Sequence, residues 1–574
     1  MAVFHGTNLS IITALPTPIV ILALPLASIA LLLTITRLYT NRRYKRALAA
    51  HLHRSPDLKN DAFPPPQIPY TIPFLGSALD FLAPKPGLFW SNLFKTHPRE
   101  TGACTLLLGG EVAHILFSPT AVQALLKNRE LSSDETKGKI LERSMGIPVE
   151  DVRIFHGLDG KNQRRDWKGE GRAEEDPLHL AEKVNLDTLM KTEAVNELTS
   201  EFTHAFGEQL DRSFEQLEGH VGLVAWIKSA MFRASGMSFM GTRVFEEIPD
   251  YEQQFWDFDR VMLGLYFGLP RFVTPSAYRV RDSIVSSLER FHETLQAEGK
   301  EKPVDPEGEV VWEPTYGSRA NRARQRLYQT LKLSNRGRAG LDLGFTFGLS
   351  SNAIPATCWM LLHILNPHGP PDLLPRVLAE LKTATLASGN LNISILCGLP
   401  LLTSIFHEIM RMYGDILVTR EIHQPVTLPL DEIKEFPRSV LLSGGSRVMA
   451  PTWLGHYDPA SWDAPDHPAS EFYAERFLTT NPETGKDMFT LSGRAGKFFP
   501  FGGGKSICPG RVFAKQEVLG AVGIVLTRFE CEAVEFCDDD GKKRSTFPGL
   551  RDAYGGTGVM SMEGDLRVKV TRIV

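Results

Sequence analysis

Cys508 lies in the run Phe498-Phe-Pro-Phe-Gly-Gly-Gly-Lys-Ser-Ile-Cys-Pro-Gly-Arg511, immediately before a helix-like stretch. Glycines at Gly502, Gly503, Gly504 and Gly510 let the backbone turn sharply and approach a flat cofactor closely. A thiolate held there could be the axial ligand of a haem iron, pushing electron density onto the metal and favouring O–O cleavage. The other reading of a lone cysteine in a tight turn is a buried, inert packing residue.

Two charged clusters stand upstream. Glu408 and Arg411, in His407-Glu-Ile-Met-Arg-Met-Tyr413, are three apart and share one face of a helix. Taken alone, such a pair reads as a surface ion pair of a few tenths of a kcal/mol. Arg476, in Phe472-Tyr-Ala-Glu-Arg-Phe-Leu478, lies between that helix and the cysteine and could reach Glu408. Ser351 and Asn352 precede Pro355 in an apolar helix-like stretch. Inside a helix, Pro355 clashes with the carbonyl of Ser351, four residues back, and frees that acceptor for a water. By itself this reads as a helix that Pro355 bends, with Asn352 filling space or helping to hold that water.

The elements that must position these groups are mostly helical. Helix-like periodicity covers 181–216, 253–267, 280–297, 318–333, 340–366, 372–388, 396–413 and 509–529. Strand-like runs are shorter, at 103–108, 112–117, 417–422 and 440–450. A C-terminal pair near 557–561 and 566–573 is expected to form a hairpin through Glu563-Gly564-Asp565. The polar segment 295–325 reads as a surface insertion. Across 574 residues no internal repeat is found. The six cysteines lack paired metal-ligand spacing, which argues against a disulfide scaffold. A net charge of −4 gives no reason to expect nucleic acid.

The N-terminus has no charged residue from Gly6 to Thr36, and Ile11 to Ile35 is apolar enough to span a bilayer. Arg37, Arg42, Arg43, Lys45 and Arg46 follow it, which predicts that the later residues stay cytosolic. Five prolines between Phe63 and Gly76 then make a stiff connector. The expected organisation is an anchor over 1–36, a basic and proline-rich hinge over 37–76, and one catalytic domain over 77–574.

Phe501, Gly504, Cys508 and Gly510 match the F-x-x-G-x-x-x-C-x-G loop of the cytochromes P-450, which the chain resembles. Glu408-x-x-Arg411 and the later Glu475-Arg476-Phe477 resemble the E-x-x-R helix and E-R-F segment of that family, in the same order. The resemblance covers the hinge and the second half well and 120–250 poorly. Counting back from Trp359 places Asn352 at the position of the usual distal threonine and Ser351 at that of the usual acid. That pattern, with Ser506 and Cys508-Pro-Gly-Arg511, resembles the subgroup holding sterol 7α- and 12α-hydroxylases and prostacyclin synthase. The style of the chain resembles fungal secondary-metabolism members.

The resemblance implies a mainly α fold with small β-sheets, preceded by one transmembrane helix. It implies haem b with Cys508 as axial thiolate, Phe501 and Gly504 shaping the loop, and Arg420 against a haem propionate. Glu408, Arg411 and Arg476 would form a buried structural network, and Ser351 and Asn352 would shape oxygen binding. The implied activity is insertion of one oxygen atom from O2 into a hydrophobic small molecule (terpenoid, steroid-like or other secondary metabolite). Electrons would come from NADPH through a separate NADPH-cytochrome P-450 reductase, at the endoplasmic reticulum membrane. Rearrangement of a peroxide or epoxide on the same fold, and a non-enzymatic membrane protein with a degenerate haem loop, are the alternatives.

Overall fold

The computed structural model describes residues 17–52, 62–159, 165–166, 169–216, 219–433, 436–553 and 555–573. Contacts group the chain into two compact units. One holds Met1–Ala83, Ser91–Ala121 and Ile422–Met449; the other holds Pro84–Trp90, Val122–Glu421 and Ala450–Val574. Residues 91–121, expected in the catalytic body, thus group with the N-terminal segment.

In the first unit, helix α1 (Thr17–Leu52) runs straight through the basic cluster, so Arg37 to Arg46 lie on the helix and not in a hinge. Its second half is rich in Arg, Leu and Ala, all strong helix formers, with no glycine or proline to stop it. Leu24–Leu52 is long and apolar enough to cross a membrane, with a mean hydropathy of 1.2. The proline connector is tied to this helix: Arg37 donates to the Pro69 carbonyl at 2.7 Å and Thr40 to that of Tyr70 at 2.9 Å. Strands Ala103–Leu108 and Glu111–Leu116 pair antiparallel, and the latter pairs parallel with Ser446–Pro451. The expected strand 440–450 is two: one ends at Leu442, and a turn with Gly445 at φ +72° precedes the next.

The second unit carries the chemistry. Its main helices are α2 (Pro177–Leu189), α3 (Thr192–Phe214), α4 (Leu223–Met240), α5 (Tyr251–Tyr266), α6 (Pro275–Ala297), α7 (Arg319–Thr330) and α8 (Asn335–Ile364). They continue with α9 (Leu373–Ala384), α10 (Pro400–Tyr413) and α11 (Arg511–Arg528). The expected helix 181–216 breaks between α2 and α3. On one straight helix Leu189 and Val195 would point about 120° apart; the break lets both be buried.

Helix α8 is the axis of this unit. Ser334 caps it by accepting the Gly337 N–H, and it continues through Pro355. Trp359, fully buried on α8, stacks on Tyr413 at the end of α10 with ring centroids 3.9 Å apart. Its indole N–H donates to the Met560 carbonyl at 2.7 Å, while the Met560 N–H donates to that of Tyr413 at 2.8 Å.

These bonds hold β3 (Thr557–Val559) against β1 (Gly414–Ile422), pairing Val559 with Gly414. The C-terminal hairpin expected from sequence does not form. Instead β4 (Asp565–Arg572) pairs with β2 (Phe529–Cys537), and the Met562–Glu563 strand pairs with Gly549–Leu550. The long-range anchoring of Met560 outweighs the local turn signal. The segment 295–325 is not simply a surface insertion either: Arg322 is fully buried and donates to the Val310 and Val311 carbonyls at 2.5 and 2.9 Å.

Candidate active site

A cavity of about 560 Å³ opens between the cysteine loop, α8 and β1. Phe501, Gly502 and Cys508 form one wall; Leu349, Asn352 and Ala353 of α8 form another. Ile416, Val418, Arg420 and Val559 close the side. Mostly apolar walls with a few converging polar groups are the usual form of a small-molecule site.

The loop is built by backbone constraints. The Cys508 N–H donates to the Phe501 carbonyl at 3.0 Å, closing it. Gly502 and Gly504 stand at φ +70° and +64°, in the left-handed region where a side chain is strained. A Cβ on Gly504 would also overlap the Leu126 carbonyl. Helix α11 starts at Arg511, with Gly510 at its cap, two residues later than Pro509, the expected start.

Burial raises the Cys508 thiol above its ordinary value, while the N–H groups of Gly510 and Arg511 and the Arg511 charge pull it down. Desolvation by the surrounding loop and cavity walls wins even though the residue itself is open to the cavity, so the thiol stays above its ordinary value. A thiolate there needs a metal cation at the sulfur, and a coordinated thiol is deprotonated outright. The donor set, the N–H groups facing the sulfur and the apolar cavity beside it fit a haem with a cysteine ligand.

The charged network is not on the surface. Glu408 and Arg411 are fully buried, and the carboxylate takes Arg411 in a two-pronged grip at 2.7 and 2.8 Å. Arg476 reaches Glu408 at 2.9 Å, and the Tyr473 N–H donates to the same oxygen at 3.1 Å. The spare guanidinium donors go to main-chain carbonyls, including Arg411 to His456 at 2.8 Å and Ala469 at 2.7 Å. A buried charge cluster is tolerable only when its donors and acceptors are satisfied in this way.

Adjacent residues of α8 part company. Asn352 lines the cavity, and its Oδ1 accepts the Val559 N–H at 3.0 Å. Ser351 is not on that wall: its hydroxyl donates to Asp259 of α5 at 2.5 Å. Burial raises the Asp259 carboxyl, with the Ser351 hydrogen bond and Lys228 opposing. Asp259 faces a different cavity of about 450 Å³, lined also by Lys228, Arg260, Asp539 and Arg551. Arg420 lines the main cavity, with one Nη donating to the Thr419 carbonyl at 2.8 Å and the other to Gly503 at 3.2 Å.

Three ionisable wall residues were not singled out from sequence: Lys137, Arg324 and Glu517. Burial pushes Glu517, of α11, up to about 8, and it accepts the Ser235 hydroxyl at 2.6 Å. Only its place nine residues after Cys508, one helix face along from the loop, could have pointed to it. Ser506 meets Ser133 across the loop at 3.1 Å. Lys515 of α11 donates to the Cys397 carbonyl at 2.9 Å. Lys161, Arg164, Trp167 and Lys168, part of a basic run, lie outside the described residues.

Residues 65–549 match the family model for cytochrome P450, and the chain belongs to that family. Among its relatives is cytochrome P450 monooxygenase calL of Penicillium decumbens, 32% identical over 77% of this chain and 78% of the relative. Cytochrome P450 monooxygenase efuG of Hormonema carpetanum is 26% identical over 88% and 90%. Cholesterol 7-alpha-monooxygenase of Cricetulus griseus is 27% identical over 61% and 65%. A solved structure, retinoic acid bound cyanobacterial CYP120A1, shares the fold with a TM-score of 0.60 at 18% identity, covering 90% of this chain and 100% of that one. The protein is thus a cytochrome P450 monooxygenase, with fungal cytochrome P450 monooxygenases and a cholesterol 7-alpha-monooxygenase among its relatives.

Proposed function

We propose that this monooxygenase inserts one oxygen atom from O2 into a terpenoid, a steroid-like molecule or another hydrophobic secondary metabolite. Electrons come from NADPH through a separate NADPH-cytochrome P-450 reductase. The apolar first half of helix α1 anchors the chain in the endoplasmic reticulum membrane as a single span, its basic second half and the proline-rich segment to residue 76 connect, and the catalytic domain from 77 onward faces the cytosol. The observation that carries this reading is that Cys508 and Asn352, from different elements, line one apolar cavity. The likeness to cholesterol 7-alpha-monooxygenase supports a rigid apolar substrate.

Bound haem b supplies the oxygen and electron chemistry. Cys508 Sγ would hold the haem iron, itself kept in place by the closed loop and by the N–H groups of Gly510 and Arg511. Arg420 would meet a propionate. Asn352 lines the cavity, and with its Oδ1 taken by the Val559 N–H its Nδ2 would be the amide group that can donate to an occupant. Leu349, Ala353, Ile416 and Val559 exclude water and seat the substrate. Ser351 acts on this wall only through the backbone it shares with Asn352.

The test is product formation from candidate terpenoids with and without NADPH and reductase, alongside the reduced, CO-bound difference spectrum. Turnover that needs reductant, with the Soret band of a thiolate-ligated haem, and loss of both in Cys508→Ser, is the expected result. Absence of that band in the wild type sinks the haem assignment and leaves the degenerate-loop alternative. A second reading has one observation behind it: an amide, not a hydroxyl, stands at 352. Product from a peroxide or epoxide without reductase would identify rearrangement.

A further inference from the structure

The cavity wall carries a guanidinium that meets no carboxylate among the described residues. Arg324, on α7, lines the cavity that holds Cys508 and Asn352. Its guanidinium carbon sits 3.8 Å from the centroid of the Phe345 ring of α8 and 5.6 Å from that of Tyr328. Its Nε is buried and has no hydrogen-bond partner. Among the described residues no carboxylate lies within ion-pair distance of it. Its helix neighbours differ: Arg319 pairs with Glu197 at 3.0 Å and Arg326 with Asp305 at 3.2 Å.

The wall offers Arg324 no ionised carboxylate; its polar partner inside the fold is the neutral Tyr328 hydroxyl. The one carboxyl among the lining residues is Glu517, which stays protonated at neutral pH because burial pushes it up to about 8. The other two cations on the wall have their own company: Lys137 lies 3.6 Å from Asp134, and Arg420 is next to Glu421 and donates to main-chain carbonyls. A guanidinium stacked on an aromatic face keeps its planar fork oriented, and that fork matches a carboxylate. Leaving a partly buried charge uncompensated costs free energy, so the occupant of the cavity is the natural source of the missing anion.

We propose that Arg324 is the anchor for a carboxylate of the molecule occupying this cavity. Two sources share that chemistry: a haem propionate, and the carboxylate of an acidic terpenoid or fatty-acid-like substrate. Either way the stacked fork orients its partner relative to Cys508. The inference rests on the haem-binding reading above, and the two fail separately, because the wild type is first checked for the thiolate-ligated Soret band.

The experiment uses the full-length haem protein and its Arg324→Met and Arg324→Lys variants. One arm measures the rate of haem transfer to excess apomyoglobin. The other measures binding of dodecanoic acid and of methyl dodecanoate from the haem spectral shift. If a propionate is the partner, Arg324→Met loses haem about tenfold faster and Arg324→Lys less so, as expected for removal of one charge-assisted contact. If the substrate carboxylate is the partner, the wild type prefers the acid over the ester by about tenfold, and Arg324→Met abolishes that preference with haem loss unchanged. Haem loss within twofold of wild type in the variants, together with no acid preference in the wild type, overturns the proposal. Should Arg324→Met fail to fold, the wild-type acid–ester comparison and Arg324→Lys decide by the same criteria: neither an acid preference nor a change in haem loss overturns it.

Discussion

Asn352 Oδ1 accepts the Val559 N–H at 3.0 Å, and a Cβ on the neighbouring Gly558 would overlap that same oxygen. The amide is therefore pinned between α8 and β3. Asn352→Ala is expected to leave the Val559 N–H without its partner, at a cost of about 1–3 kcal/mol. It should also lower the fraction of reductant that ends in product. Gly558→Ala is expected to reproduce the coupling defect by pushing the amide aside, although it removes no polar group. Denaturant unfolding and NADPH-to-product ratios test both, and unchanged coupling in Asn352→Ala would remove this residue from oxygen chemistry.

Ser351 gives the contrasting case. Its hydroxyl serves Asp259 and not the cavity. Ser351→Ala should lower stability by about 1–2 kcal/mol, because the buried carboxyl loses a donor. Coupling should stay within twofold of wild type. A coupling loss as large as that of Asn352→Ala would show that Ser351 reaches the reacting centre.

The Glu408 cluster is a stability element. Removing its carboxylate leaves two buried guanidinium groups unpaired, a change of about 3–5 kcal/mol. Glu408→Ala should unfold at much lower denaturant and retain little haem. Glu408→Gln keeps the shape but not the charge, and its haem retention should fall between those of the wild type and Glu408→Ala. If Glu408→Ala folds normally and lacks only turnover, the cluster is catalytic and this assignment is wrong.

Glu517 predicts a pH dependence. Its carboxyl is pushed from 4.5 in the free state up to about 8 by burial, with Ser235 opposing. The folded state holds this proton more tightly than the unfolded one. Its contribution is therefore full below pH 4.5 and is lost as pH rises to about 8. Over that window the wild type should lose stability relative to Glu517→Gln by an amount on the order of a few kcal/mol. Parallel pH profiles for the two proteins would mean that Glu517 is ionised in the fold.

Helix α1 predicts the distribution of the chain between fractions. The full chain should sediment with membranes and resist extraction by carbonate. A version lacking residues 1–36 should shift largely to the soluble fraction, since it loses most of the apolar span while keeping Arg37 to bond Pro69. Retention of the truncated chain on membranes would point to a second membrane contact.

Short-range spacing alone located Cys508, the Glu408–Arg411 pair, Arg476 and the apolar N-terminal span, because each is set by glycine turns, one helical face or simple length. The same spacing could not say that Glu408 and Arg411 were buried, since an i,i+3 pair looks alike in core and in water. Tertiary structure decided that, by bringing Arg476 and the carbonyls of His456 and Ala469 to the pair. It also separated Ser351 from Asn352. Successive helical residues point about 100° apart, and only the arrival of Asp259 on one side and Val559 on the other settled which faced the cavity. The C-terminal strands found partners far away in sequence because Met560 is held by Trp359 and Tyr413. Arg324 was invisible in an arginine-rich helix for the same reason: what distinguishes it is a place on the cavity wall with no carboxylate at ion-pair distance among the described residues.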